Sequence, residues 1–188
     1  NALKLLNDKG EFISKKDGEK LLEIIRNNKT SYNDVDNLGQ VTQMSNYMDM
    51  HIEHILQLDG VEINEIRKAK FKIVIDAVNS TGGIALPKLL KALGCEEILE
   101  LYCEPNGQFP HNPEPLPAHL EKLSETVINE KADLGIVVDP DVDRLAFVCE
   151  NGEVFGEEYT LVAVSDHILS RSSGTVSYTH LRAHETPI

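Results

Sequence analysis

Hydrophobic residues in the first part of the chain recur at the spacing of helices. An apolar helical face over residues 21–25 follows Ser14, an N-cap candidate with Asp17 three residues later in a capping-box-like position. Two further segments, at about 45–58 and 61–68, carry apolar residues at the same spacing. The sequence therefore predicts three helices before residue 70.

From Lys70 onward, short apolar runs alternate with amphipathic segments. We expect four strands, at 71–76, 98–102, 134–138 and 145–149. We expect helices between and after them, at 84–93, 118–131 and 158–169. This alternation predicts an α/β fold, a three-layer α/β/α sandwich with a mainly parallel mixed sheet in which the strand at 145–149 is antiparallel.

The amino-acid composition limits the kinds of molecule that this chain is expected to bind. The 188 residues are 41% hydrophobic and 26% charged, with a formal net charge of -13. The hydrophobic residues suffice for a sizeable core, and the acidic charge argues against non-specific binding to nucleic acid or to anionic membranes.

The three cysteines match neither a zinc pattern nor a disulfide framework, which fits a reducing compartment. No signal peptide or transmembrane span is visible in the sequence, so we expect a cytoplasmic location.

Three alternating aspartates follow the third predicted strand. Asp139, Asp141 and Asp143 are separated by single residues, so an extended loop turns all three towards one side. Like charges this close repel one another unless a cation lies among them. Hard carboxylate oxygens suit Mg²⁺ or Ca²⁺ better than zinc. The sequence therefore predicts a divalent-metal site at the carboxyl end of a strand.

Other kinds of protein use carboxylates at this spacing. An EF-hand needs glycine at the sixth loop position, where this chain has Arg144, and helices rather than strands on both sides. A haloacid-dehalogenase-type phosphatase also has Asp-x-Asp after a strand, but normally has Thr or Val where Asp143 stands, near the start of its fold. A non-catalytic divalent-cation-binding α/β domain also remains open.

Several polar side chains in the loops have less specific roles. Asp76 and Asn79 follow a predicted strand and are expected to organise its turn. His111 lies in a segment from 103 to 117 that holds five prolines, and we expect local hydrogen bonds from its ring rather than ligand binding. Cys103 and Cys149 lie among or beside apolar residues and are expected to pack in the core.

Four segments, in this order, resemble those of one enzyme family. Residues 74–83 resemble the strand and turn that open its second domain, and residues 104–115 resemble its loop containing Gly-x-Phe-Pro. Residues 139–144, Asp-Pro-Asp-Val-Asp-Arg, resemble its metal-binding loop. Residues 152–157 resemble the hairpin and Gly-Asp step that follow, with Glu157 in place of the usual Asp. The family is the α-D-phosphohexomutases, which includes phosphoglucomutase, phosphomannomutase and phosphoglucosamine mutase.

The resemblance implies a phosphosugar mutase. In that family a phosphoserine passes its phosphoryl group to a hexose or hexosamine phosphate, the bisphosphate intermediate reorients, and the other phosphate returns to the serine. By resemblance, Asp139, Asp141 and Asp143 hold one Mg²⁺, and Arg144 binds a phosphate oxygen or braces the loop carboxylates. Lys4, in Asn-Ala-Leu-Lys, matches the lysine beside the phosphoserine in the family's Asn-Gly-x-Lys, with Ala in place of Gly.

The resemblance also predicts a division of the chain. Residues 1–69 match the C-terminal, helical part of the family's first domain, and residues 70–175 match its second domain. Residues 176–188 break the pattern, and most of them are what a sequencing-library adapter encodes when it is read as protein, so we exclude this tail from the fold. We expect the phosphoserine to lie upstream of Asn1 and this chain alone to be inactive. Phosphoglucosamine or phosphomannose conversion is the expected reaction of the whole enzyme.

Overall fold

The structure, a computed structural model, describes residues 4–171, without the side chain of Glu157. The chain divides into two compact units, the first ending at Met44 and the second beginning at Ser45. The helices are α1 Lys15–Arg26, α2 Tyr47–Leu56, α3 Ile63–Ala69, α4 Gly82–Leu93, α5 Glu121–Glu130 and α6 Glu157–Arg171. The strands are β1 Lys72–Asp76, β2 Glu97–Leu101, β3 Leu134–Val138, β4 Leu145–Cys149 and β5 Val154–Phe155. The predicted tail at 176–188 lies outside the described residues.

The first unit is built around helix α1. Ser14 is its N-cap: the hydroxyl oxygen accepts the Asp17 backbone N–H at 3.2 Å and donates to the Asp17 carboxylate at 2.6 Å. This is the capping geometry that the sequence predicts. Ahead of the helix, Leu6 and Phe12 pair across a tight turn. Lys4 lies just before this pair.

A five-stranded sheet forms the centre of the second unit. Its strand order is β2-β1-β3-β4-β5. Strand β1 pairs in parallel with β2 and β3, and β4 pairs antiparallel with β3 and β5. Every strand except β4 therefore points the same way, which confirms the predicted mainly parallel mixed sheet.

Both faces of the sheet are covered by helices. Along β1, Ile73 and Ile75 face one side, where they pack with Leu90 of α4. Val74 faces the other side and packs with Leu123 of α5. Because side chains alternate along a strand, a continuous apolar run such as β1 supplies both cores at once. The three-layer α/β/α sandwich is thus confirmed.

The second unit begins earlier than the change in sequence character at Lys70. Ile52 of α2 is buried, and Asp49 pairs with Lys88 of α4 at 3.3 Å. Helices α2 and α3 therefore belong to the same compact unit as the sheet, and the assignment of residues 1–69 to the family's first domain remains a prediction. The sheet begins at Lys72, whereas the compact unit begins at Ser45. Among the described helices, none combines the length and apolar character needed to cross a membrane.

Candidate metal and phosphate site

The aspartate loop connects strands β3 and β4 at the edge of the sheet where the parallel strands end. Strand β1 lies beside β3 and ends at Asp76 in register with Val137. The turn after β1 and the loop after β3 are therefore neighbours. In open α/β sheets this edge is the usual place for ligands.

Asp139 organises the loop that follows β3. Its Oδ1 accepts the backbone N–H groups of Asp143 and Arg144, both at 3.0 Å. Its backbone C=O accepts the Val142 N–H at 3.1 Å, and Val142 adopts a left-handed φ of 60°. A β-branched residue is strained in that conformation, so the surrounding hydrogen bonds hold the turn against it.

The three aspartates come together as the sequence predicts. One carboxylate oxygen from each of Asp139, Asp141 and Asp143 lies within 4.8 Å of the others. Asp139 is buried, and the other two are exposed. Burial raises the pKa of Asp139. The neighbouring carboxyl groups of Asp143 and Asp141 raise this pKa further, whereas the hydrogen bond from the Arg144 backbone lowers it. A cluster of three hard carboxylate oxygens fits Mg²⁺, since the cation would neutralise this repulsion.

Hydroxyl groups of the first turn hold the aspartate loop in place. The Ser80 hydroxyl donates to the Pro140 carbonyl at 2.7 Å, and the Thr81 hydroxyl donates to the same oxygen at 3.0 Å. Sequence reasoning treated this segment only as a turn. Two hydroxyl residues ahead of a helix signal a cap, but here their side chains contact a loop some sixty positions away.

Asp76 and Asn79 organise the turn after β1, as predicted. The buried Asp76 accepts the Val78 N–H at 3.0 Å through one oxygen. Its other oxygen lies 2.9 Å from Nε2 of His111, in the Pro-rich loop (residues 103–117). Burial raises the pKa of Asp76, while the Val78 hydrogen bond and His111 oppose that rise. The Asn79 side chain donates to the Gln108 carbonyl at 2.9 Å, so this turn also anchors the Pro-rich loop.

Arg144 contacts the Pro-rich loop. Its Nη1 donates to the carboxylate of Glu114, a residue that sequence reasoning did not single out. That contact is the main cause of the raised pKa of Arg144, and Asp139 and Asp143 add weaker attraction. Bracing of the loop carboxylates, one of the two expected roles, remains a prediction. Binding of a phosphate oxygen remains a prediction.

Lys4, the other predicted catalytic residue, belongs to the first unit and is exposed. It directly precedes the paired segment that leads to α1. Its role beside a phosphoserine remains a prediction that rests on the resemblance.

The burial of the cysteines agrees only in part with the expectation that Cys103 and Cys149 pack in the core. Cys95 is buried, whereas Cys103 and Cys149 are half-buried. Burial, with help from Glu100 and Asp76, raises the pKa of Cys103 to about 12. Cys103 packs against the core cluster that contains Ile75 and Leu90, as expected from its apolar surroundings.

Comparison with known proteins identifies the family. Residues 49–152 match the family of phosphoglucomutase/phosphomannomutase alpha/beta/alpha domain II. A probable phosphoglucosamine mutase of Methanopyrus kandleri is 34% identical over 90% of this chain and 36% of its own length. A phosphoglucomutase/phosphomannomutase of Thermococcus kodakarensis is 31% identical over 93% of this chain and 38% of its own length.

A solved structure gives the same answer. The phosphoglucomutase/phosphomannomutase family protein of Burkholderia thailandensis aligns with a TM-score of 0.66 and 27% identity, over 85% of this chain and 32% of that one. This chain spans between about a third and two fifths of the length of each of these three relatives. Residues 49–152, which match the family's domain II, contain strands β1 to β4, the Pro-rich loop and the aspartate loop. The chain belongs to the phosphoglucomutase/phosphomannomutase family.

Proposed function

We propose that this chain supplies the metal-binding half of a phosphohexomutase active site. The whole protein moves a phosphoryl group between the C1 and C6 hydroxyls of a hexose or hexosamine phosphate. The observation that carries this proposal is the cluster of Asp139, Asp141 and Asp143, in a family member, at the sheet edge where ligands bind. Family membership also argues against a haloacid-dehalogenase-type phosphatase.

The domain assignment forms part of the proposal. The compact unit that begins at Ser45 and the family match that begins at residue 49 both support a boundary close to Ser45. Residues before it then form the C-terminal part of the first domain, and the sheet unit forms the second domain. Residues 176–188 are proposed to be non-native.

The aspartate loop handles charge in the proposed reaction. Asp139, Asp141 and Asp143 hold Mg²⁺, and Asp139 at the same time fixes the loop through its bonds to backbone N–H groups. When bound, the cation neutralises negative charge on the transferring phosphoryl group. Arg144 offers a planar set of five N–H donors, so its contact with Glu114 through Nη1 leaves donors for a phosphate oxygen.

The phosphoryl group moves between two oxygens. The bond from phosphorus to the serine oxygen breaks as a sugar hydroxyl oxygen bonds to phosphorus. The sugar hydroxyl gives up its proton and the departing serine oxygen takes one up, so the transfer leaves a free serine hydroxyl. The bisphosphate reorients and the reverse step rebuilds the phosphoserine. In this proposal the serine lies outside this chain, and Lys4 stands beside it and holds its phosphate by charge-assisted hydrogen bonds.

The proposed substrate is a hexosamine or hexose phosphate. Relatives named phosphoglucosamine mutase and phosphomannomutase/phosphoglucomutase support this class of sugar. The isolated chain is expected to catalyse no turnover, because it spans less than two fifths of the length of the phosphohexomutases that it resembles.

Mutation of Asp141 in the full-length protein tests this function. Asp141→Asn should abolish mutase turnover on glucosamine and mannose phosphates while the free energy of unfolding changes little, because Asp141 is exposed. Unchanged turnover with a large loss of stability would instead favour an ion that only stabilises the fold. Measurable turnover by the isolated chain would contradict the proposed division of the active site.

A further inference from the structure

Glu114 occupies a rigid part of the Pro-rich loop. It lies between Pro113 and the buried Pro115, whose rings restrict the backbone on both sides. Its backbone N–H donates to Oδ1 of Asn112 at 3.1 Å, and its C=O accepts from Nδ1 of His119 at 2.9 Å. The backbone of Glu114 is therefore fixed independently of the contact that its carboxylate makes.

Arg144 is also fixed at its backbone, but not along its side chain. Its N–H donates to the Asp139 carboxylate at 3.0 Å, and its C=O accepts the Asp139 N–H at 3.3 Å. The side chain is 52% exposed and has many rotamers to lose. The direction of the guanidinium therefore depends on a partner, and Glu114 is the partner that the structure provides.

The Pro-rich loop is anchored to the same edge of the sheet at two other points. His111 contacts Asp76 at the end of β1, and the Asn79 side chain donates to the Gln108 carbonyl. The Asn79 carbonyl also accepts the N–H of Gly107 at 2.9 Å. The loop thus carries Glu114 on a support that is tied to the strand beside the aspartate loop.

We propose that Glu114 is a positioning residue for phosphoryl transfer, which holds the guanidinium of Arg144 beside the aspartate triad. This inference rests on the proposed function. Exposed ion pairs add little to stability, so the loss of Glu114 affects turnover rather than folding. A guanidinium that must first be ordered stabilises the transition state less, and small misplacements in a catalytic site cost large factors in rate.

The test uses Glu114→Gln in the full-length enzyme, which removes the charge and keeps the shape. Glu65→Gln is the matched control, because it removes another exposed ion pair, between Glu65 and Lys68 at 2.6 Å on helix α3. We expect kcat of Glu114→Gln to fall about tenfold with KM changed less than about twofold, since the contact acts on the transferring group. The urea midpoint should stay at the parental value in both variants.

A double-mutant cycle separates positioning from an independent effect. In a protein that already carries Arg144→Ala, Glu114→Gln should cause no further loss of kcat, because the side chain that it positions is absent. An equal loss in that background, a parental kcat for Glu114→Gln, or a lowered urea midpoint for this variant would each overturn the inference. If Asp141→Asn is inactive in the same assay, a result that overturns the inference about Glu114 still leaves the proposed function intact. A parent without mutase turnover overturns both.

Discussion

Gly83 gives the sharpest test of how the Pro-rich loop is supported. It lies in the first turn of α4, against the peptide of Cys103 where that loop begins. A Cβ atom added at this glycine would lie 2.1 Å from the Cys103 carbonyl oxygen and 2.6 Å from its carbonyl carbon. The obstacle is backbone, so no rotamer change relieves it. We therefore expect Gly83→Ala to displace the start of the Pro-rich loop.

The expected loss of stability in Gly83→Ala can be derived from the contacts that the added methyl group disrupts. The oxygen has to retreat from 2.1 Å to at least the 3.4 Å of an ordinary contact. Tyr102, next to Cys103, accepts the Asn79 N–H at 2.6 Å, and this bond would be strained or lost. Overpacking costs about 1–3 kcal/mol and a lost hydrogen bond about 1 kcal/mol, while Ala in place of Gly in a helix returns up to about 1 kcal/mol. The net expected destabilisation is about 2 kcal/mol.

Urea unfolding followed by far-ultraviolet circular dichroism measures this change. Gly39→Ala is the control, because no heavy atom lies within 4 Å of a Cβ added there. The control should change the free energy of unfolding by less than about 0.5 kcal/mol. If Gly83→Ala were as stable as the parent, or more stable as helix propensity alone predicts, the close approach to Cys103 would not be a real constraint.

Two further predictions concern the acidic side chains at this edge. Asp139→Ala should lower the free energy of unfolding by about 2 kcal/mol, because it leaves two loop N–H groups without their acceptor. Asp139→Asn keeps an acceptor oxygen and should lower the free energy of unfolding far less. Equal losses for the two variants in urea unfolding would refute the capping role of Asp139. The pKa of Asp76 is raised in the folded state above its unfolded value, which is near 3.8, so the folded state binds the Asp76 proton more tightly. The contribution of Asp76 to stability therefore falls as pH rises from 3.8 through the folded-state pKa. The stability of the parent relative to Asp76→Asn, measured by urea unfolding, should therefore decline with pH over that window, and a difference independent of pH would contradict this.

The sequence predicted the elements that depend on local pattern. The apolar runs at β1 and β3 indicate buried strands because both faces of each are covered. Asp139, Asp141 and Asp143 come together because they share one short loop, but that loop is a turn with Val142 in a left-handed conformation and not the extended segment that the sequence predicts. The two-residue strand β5 was not predicted, since so short a segment has no period of its own.

Contacts between distant segments could not be predicted in the same way. The Glu114 contact with Arg144 and the Ser80 contact with Pro140 depend on which loops the sheet order brings together, and no local pattern encodes that order. The expected domain boundary at Lys70 followed the change from helices to strands. The packing of α2 against α4 depends on tertiary contacts, which that change does not reveal.

Magnesium binding to this chain tests the central claim most directly. Isothermal titration with MgCl₂ should detect one site in the parent, and Asp141→Asn should weaken it at least about tenfold, since one of three charged ligands is lost. Asp59→Asn removes an exposed carboxylate outside the triad and should bind as the parent does. Equal affinity for Mg²⁺ in the parent and Asp141→Asn would contradict the assignment of the triad as the metal site.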